Sequence, residues 1–379
     1  MTGTVAGFKT SAVAAGIKAR ERLDLALIYS EKPAVACAVF TQNRFAAAPV
    51  LLSKKNLQES NHRVRALIVN SGNANAATGI DGMRRAEACV AAIAGALGCS
   101  PAEVLVSSTG VIGRPLASEA ICNAIPALVQ GLLPSNTELL ARAIMTTDKV
   151  PKIASVTVGN ARITGVAKGA GMIHPDMATM LSFIMTDAAI EREELESALH
   201  YAVDKSFNSI SVDGDTSTND MVAVLANGAS GRVDPGEFRE GLRQVCEQLA
   251  KAIVRDGEGA TKFVELTVEG APSDEAARLI GRTIARSPLV KTAIFGADPN
   301  WGRILAAVGN AGVPLQSDRV DIYIGDLNIV DGNLEEAREK LTQPEIRIRV
   351  ILHSGSGFAR VWTCDLTHEY ISINADYTT

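Results

Sequence analysis

The sequence predicts a layered α/β fold, and three observations carry that prediction. Short runs dense in β-branched residues are bounded by Gly, Asn or Ser; amphipathic stretches of helical period lie between them; and the two kinds interleave from end to end. The runs Val64 to Val69, Val104 to Ser107, Met221 to Ala226 and Ile346 to Leu352 read as buried strands. Met83, Ala86, Val90, Ile93 and Leu97 recur at spacings of three and four, as do Leu242, Val245, Leu249 and Ile253, so each set gives a helix one apolar face. A third helix begins after Ser273, an N-cap followed by Asp274 and Glu275, with Ala277, Ile280 and Ile284 as its buried stripe and its end near Pro288. No repeat, Pro/Ser-rich linker or charge run divides the chain, and the Gly165 to Gly171 segment is its strongest local irregularity.

Composition narrows the function. The 379 residues are 47% apolar and 21% charged, enough for a sizeable core without staples. A net charge of -5, from 37 basic and 42 acidic residues, leaves no electrostatic footprint for nucleic acid or an anionic membrane, so small molecules are the expected partners. Six dispersed cysteines without a C-x-x-C pair read as structural thiols in a reducing compartment. Lys9, Lys18 and Arg20 interrupt the early apolar stretches, which argues against a signal peptide, and no apolar run reaches the ~20 residues of a membrane span. A cytoplasmic location is expected.

Residues 165 to 181, GVAKGAGMIHPDMATML, set three glycines around Lys168, then a proline four residues before Thr179, then the apolar run LSFIM. Glycine tolerates positive φ and close backbone approach, so a tight loop should lead into a strand starting near Thr179. Read by residue type alone, Thr179 is an ordinary strand-entry threonine, Lys168 a solvated loop lysine, Asp176 a turn residue, and His174 has no second histidine near it. DGDTSTND, Asp213 to Asp220, fails as an EF-hand, because its sixth position is Thr218 and no Glu stands at the twelfth. No metal or cofactor is expected.

The stretch from Lys168 to Leu181 resembles, over its whole length, the K-G-x-G-M-x-x-P-x-M-A-T-M-L signature of the ornithine acetyltransferases, also called bifunctional glutamate N-acetyltransferases. NSGNANAATG (Asn70 to Gly79), SSTGVIG (Ser107 to Gly113), MTTD (Met145 to Asp148), DGDTSTND and DPNWGR (Asp298 to Arg303) resemble further blocks of that family in the same order. The resemblance implies a helix/sheet/sheet/helix architecture of the N-terminal-nucleophile kind. It implies that the chain cleaves itself between Ala178 and Thr179, giving an α chain of residues 1–178 and a β chain of residues 179–379 that share one intertwined core, and that two of each assemble as a heterotetramer.

The resemblance further implies acetyl transfer from N-acetylornithine to glutamate through an ester on Thr179; whether acetyl-CoA is also a donor stays open, since the chain carries no short signature for it. Thr109 and Gly110 would form the oxyanion site, and Thr146, Lys168, Thr179, Glu258, Asn374 and Thr379 would bind substrate, with Thr147 as the alternative to Thr146. The α-amine freed on Thr179 would serve as its own base, since its ordinary pKa of ~7.7 to 8.0 leaves a neutral fraction near pH 7. Lys168 is expected to pair with an α-carboxylate common to both substrates, and Glu258 with the ornithine ammonium. The rival readings are an amidase or aminopeptidase with water as acceptor, and a nucleotide-binding module; the latter fails because no G-x-G-x-x-G or G-x-x-x-x-G-K-[ST] occurs.

Overall fold

The computed structural model of the chain describes residues 4–18, 22–134, 136–174, 180–315, 320–330 and 332–376. Its first half runs β1 (Phe8–Val13), β2 (Leu25–Phe40), α1 (Ala48–Glu59), β3 (Arg63–Asn73), α2 (Gly79–Leu97), β4 (Val104–Val111), α3 (Ser118–Gln130) and β5 (Leu133–Pro134). Then come α4 (Thr137–Ile144), β6 (Lys152–Val158), β7 (Ala161–Lys168), β8 (Leu181–Ala189), α5 (Arg192–Asp204), β9 (Ile210–Ser211), β10 (Met221–Arg232) and α6 (Pro235–Arg255). The rest is β11 (Phe263–Ala271), α7 (Asp274–Ala285), α8 (Pro288–Phe295), α9 (Trp301–Gly309), β12 (Asp321–Ile324), β13 (Leu327–Asn328), α10 (Leu334–Leu341), β14 (Glu345–Ile351), β15 (Gly357–Cys364) and α11 (His368–Asp376).

One sheet, in the order β4-β3-β2-β10-β8-β7-β6 with β1 also on β2, folds back on itself. The 16-residue β2 makes the fold: Leu25 to Tyr29 pair with β3, the register breaks between Tyr29 and Ala34, and Val35 to Phe40 pair with β10. Glu31, Lys32 and Pro33 occupy the break, where a proline without an N–H costs no ladder bond. Alternation along the strands then fills three cores. Ala26, Ile28 and Leu67 face Phe183, Met185 and Ala223 between the two halves of the sheet. Leu25, Leu27 and Ile68 face outward against Val90, Ile93 and Ile121 of α2 and α3. Ile163, Ile184 and Val224 face the other way against Leu199, Leu242 and Leu249 of α5 and α6. Four layers, helix/sheet/sheet/helix, result.

A second sheet, β13-β12-β14-β11-β15-β9, packs Leu266, Val268, Ile348 and Val350 under Ala277, Ile280 and Ile284 of α7. Composition and periodicity gave no sign that the chain divides its strands between two sheets. Ser273 caps α7 as expected, its hydroxyl accepting from Ala276 N–H. The glycine-rich segment departs from expectation: Gly165 lies inside β7, paired with Ala154 and Ile184, so the irregular backbone begins only at Gly169. Among the described residues no helix is long and apolar enough to cross a membrane.

Candidate active site

The site forms where the ends of β4, β7 and β8 meet the turns before β10 and after α6. Ala74, Thr109, Gly110, Thr146, Thr147, Lys168, Met180, Asp220, Glu258 and Asn374 all line one cavity. Six of the residues expected to act on substrate, from Thr109 to Asn374, thus come together, and so does Thr147. Ala178, Thr179, Asp176 and Thr379 lie outside the described residues. Met180 and Leu181, next in the chain after Thr179, line the same cavity.

Thr109 and Gly110 sit within β4, in a parallel pairing with Ser71 and Gly72 whose register breaks at Asn73. Gly110 has φ +130°, and a Cβ there would stand 2.3 Å from the Gly72 carbonyl carbon, so both the conformation and the space demand glycine. The irregularity is braced from several sides. Ser108 Oγ donates to Asn70 Oδ1 at 2.6 Å, Asn70 Nδ2 donates to Asn73 O, and Asn219 Nδ2 donates to both Ser108 O and Ala74 O. The Asn-rich end of β3 and the residue after it therefore support the strand end that carries Thr109.

Lys168, the last residue of β7, is buried, and its Nζ donates to Thr109 Oγ1 at 3.3 Å. Burial pushes its pKa down, while the carboxylates of Asp148, Asp220 and Glu258 pull the other way. Glu258 is buried too, not the surface charge its place after a helix suggests. Its N–H donates to Ala170 O, its Oε2 accepts from Asn374 Nδ2 at 2.9 Å, and its carboxylate packs where a Cβ on Gly171 would be, at 2.4 Å.

A buried ionic network that sequence reasoning missed joins these parts. Lys152 Nζ donates to Asp148 Oδ1 at 2.7 Å and to Asp256 Oδ2 at 2.5 Å, with all three side chains at 5% exposure or less. Asp148 also accepts from Gly169 N–H at 2.7 Å and Thr146 N–H at 2.9 Å. Burial would raise its carboxyl, but Lys168, Lys152 and the Gly169 N–H outweigh that and hold it down at about 2. One carboxylate thus fixes the Thr146 turn and the residue after Lys168, while Asp256 lies two residues before Glu258. The MTTD block and the stretch Asp256 to Gly259 held the signal, but the Lys152 between them looks like any strand-entry lysine.

Asp213 serves the backbone. Its carboxylate accepts from Met172, Ile173 and Asp215 N–H, pinning the segment after Gly171. His174 contacts Ser211 Oγ through Nδ1 and Arg282 through Nε2, both at 3.0 Å, which suits a structural histidine better than a base. Burial, with Arg282 and Arg286, lowers it to about 4.

The ArgJ family model matches residues 9–379. The arginine biosynthesis bifunctional protein ArgJ of Geobacter sulfurreducens is 49% identical over 394 residues, spanning 99% of this chain and all of that protein. The Thermus thermophilus protein of the same name is 47% identical, over 98% of each chain. A crystal structure of the ArgJ protein from Bacillus halodurans, 45% identical with a TM-score of 0.50, is matched over 52% of this chain and 100% of that one.

Proposed function

The chain belongs to the ArgJ family, and from that premise we propose that it cleaves itself between Ala178 and Thr179 and then moves an acetyl group from N-acetylornithine to glutamate through Thr179. The observation that carries the proposal is the convergence of Thr109, Gly110, Thr146, Lys168, Glu258 and Asn374 on one cavity beside Met180, although they span most of the chain.

Cleavage is an N-to-O acyl shift: Thr179 Oγ1 attacks the Ala178 carbonyl, and the ester so formed is hydrolysed. The freed α-amine then takes the hydroxyl proton as Oγ1 attacks the acetyl carbonyl of the donor. Thr109 and the Gly110 backbone lie at the cavity to receive the oxyanion, and each such donor contributes roughly 2.7 to 4 kcal/mol. Lys168 holds the α-carboxylate, and Glu258, oriented by Asn374, takes the ornithine ammonium; Thr146 and Thr379 complete the contacts. Ornithine leaves, glutamate enters and carries the acetyl group away. The acetyl group begins and ends as an amide on an α-nitrogen, so the exchange is near balance and the site's work is to stabilise the oxyanion and shield the ester from water. Acetyl-CoA can load the same threonine.

The two fragments, residues 1–178 and 179–379, stay together because β8 and β10 pair with β7 and β2. They assemble as an α2β2 particle in the cytoplasm. That a relative's whole solved chain corresponds to 52% of this one supports a two-chain product. Initial rates of N-acetylglutamate formation with both substrates varied test the cycle. Parallel reciprocal plots are expected, whereas acetate release that ignores glutamate would make the chain a hydrolase.

A further inference from the structure

The amine that serves as base in the transfer does not exist before cleavage, because the Thr179 nitrogen is then an amide. The acyl shift still needs a group that accepts the hydroxyl proton and one that delivers a proton to the departing nitrogen. Lys168, Glu258 and Asp220 are the titratable side chains at the cavity among the described residues. Lys168 is engaged with Thr109, and Glu258 with Asn374.

Asp220 is 1% exposed, and its Oδ2 has no hydrogen-bond partner among the described residues, a costly arrangement for a buried polar atom. Its place is tightly specified. Thr41 N–H donates to its carbonyl, and Asn219 beside it is clamped to Ser108 O and Ala74 O next to the Thr109 segment. Met221 N–H donates to Met180 O at 3.1 Å, in the parallel register that sets Met221 opposite Leu181. The residue before Met221 thus stands beside Met180, the residue that follows Thr179 in the sequence.

We propose that Asp220 is the proton carrier of the self-cleavage step. One carboxyl oxygen accepts the Thr179 hydroxyl proton as Oγ1 bonds to the Ala178 carbonyl carbon. The other gives its proton to the Thr179 nitrogen as the C–N bond breaks, so the carboxyl ends protonated, as it began. Water then adds to the ester carbonyl, the C–O bond breaks, one water proton returns to Oγ1, and the other goes to the amine as Ala178 keeps the carboxylate. Burial favours the protonated form, because it pushes the carboxyl well above its usual range, against the Ser217 and Thr41 hydroxyls and the Lys168 charge.

The inference rests on the self-cleavage proposed above, and one time course separates the two. The full chain is made by cell-free synthesis and sampled for intact mass as wild type, Asp220→Asn and Asp220→Ala, with thermal melting of each. Asp220→Asn keeps the shape but cannot shuttle a proton, and should cleave roughly 10² to 10⁴ times more slowly at a wild-type melting temperature. Cleavage of Asp220→Ala should accelerate in proportion to added formate, a response that a packing role does not give. Wild-type cleavage rates in Asp220→Asn, or an Asp220→Ala chain indifferent to formate, overturn the assignment of Asp220 alone. A wild-type chain that stays whole overturns self-cleavage itself, and Asp220's role with it.

Discussion

Asp148→Asn removes one charge and one acceptor from the point where three parts of the site are tied together. The wild-type carboxylate takes Lys152 Nζ and Gly169 N–H on Oδ1 and Thr146 N–H on Oδ2, with its side chain fully buried. An asparagine can keep only one of those sides. If its oxygen faces Lys152 and Gly169, its NH2 meets the Thr146 N–H donor to donor, which costs about 1–3 kcal/mol for the unsatisfied groups. Lys152 keeps Asp256 but loses half of its counter-charge, so the total should approach the about 3–5 kcal/mol typical of a broken buried ion pair. At roughly 2–4 °C per kcal/mol for a large domain, the melting temperature should fall by roughly 10 °C. Because the Thr146 turn and the residue after Lys168 both loosen, KM for both substrates should rise several-fold. The wild-type carboxyl is held at about 2, below its ordinary 3.8, so its stabilisation is fully present above pH 4 and is lost as pH falls through 2. The gap between wild type and variant, read from urea midpoints, should narrow over that window. A melting temperature within 2 °C of wild type and unchanged KM values would refute the idea that Asp148 organises the site.

Gly110→Ala puts a Cβ into the Gly72 backbone at a φ that alanine rarely adopts, and should lower kcat by ~10² to 10³, the loss expected for one oxyanion donor; kcat within threefold of wild type would remove Gly110 from the chemistry. Lys168→Met should raise KM for N-acetylornithine and for glutamate alike, by ~10- to 100-fold if one charge-assisted bond is lost; if only one half-reaction suffers, the shared-carboxylate role is wrong. His174, lowered to about 4 from 6.5, binds no proton in the folded chain where the unfolded chain does, so stability should fall as pH drops from 6.5 toward 4, by at most about 3 kcal/mol. Urea midpoints at pH 7 and pH 5 check this, and His174→Gln should flatten the difference; equal slopes would contradict it.

The features legible in the sequence are local ones. Ser273-Asp274-Glu275 announces α7 because a cap and its acidic first turn lie within three residues, and the Val64 to Val69 run announces β3 because burial on both faces removes alternation. The site was legible only as a resemblance, since no spacing rule links Thr109 to Asn374. What stayed hidden depends on distant partners. Lys152 is paired 104 residues away with Asp256, and Asp220 acquires its character from burial just ahead of β10, the strand that pairs with β8. The bend of β2 at Glu31-Lys32-Pro33 looks like an ordinary turn, yet the strand continues through it and joins the two layers of the first sheet. Gly165 misled for the opposite reason: a glycine suggests a loop, and here it lies in the middle of a paired strand.

The most direct test of the proposed function is the intact mass of the purified protein alone, after N-acetylornithine, and again after glutamate, with Thr179→Ala as control. Two fragments meeting at Ala178 and Thr179 are expected, the second gaining one acetyl group that glutamate discharges, while Thr179→Ala stays whole and unacetylated. A well-folded wild-type chain that remains uncleaved and takes up no acetyl group would contradict the role of Thr179 on which the whole mechanism turns.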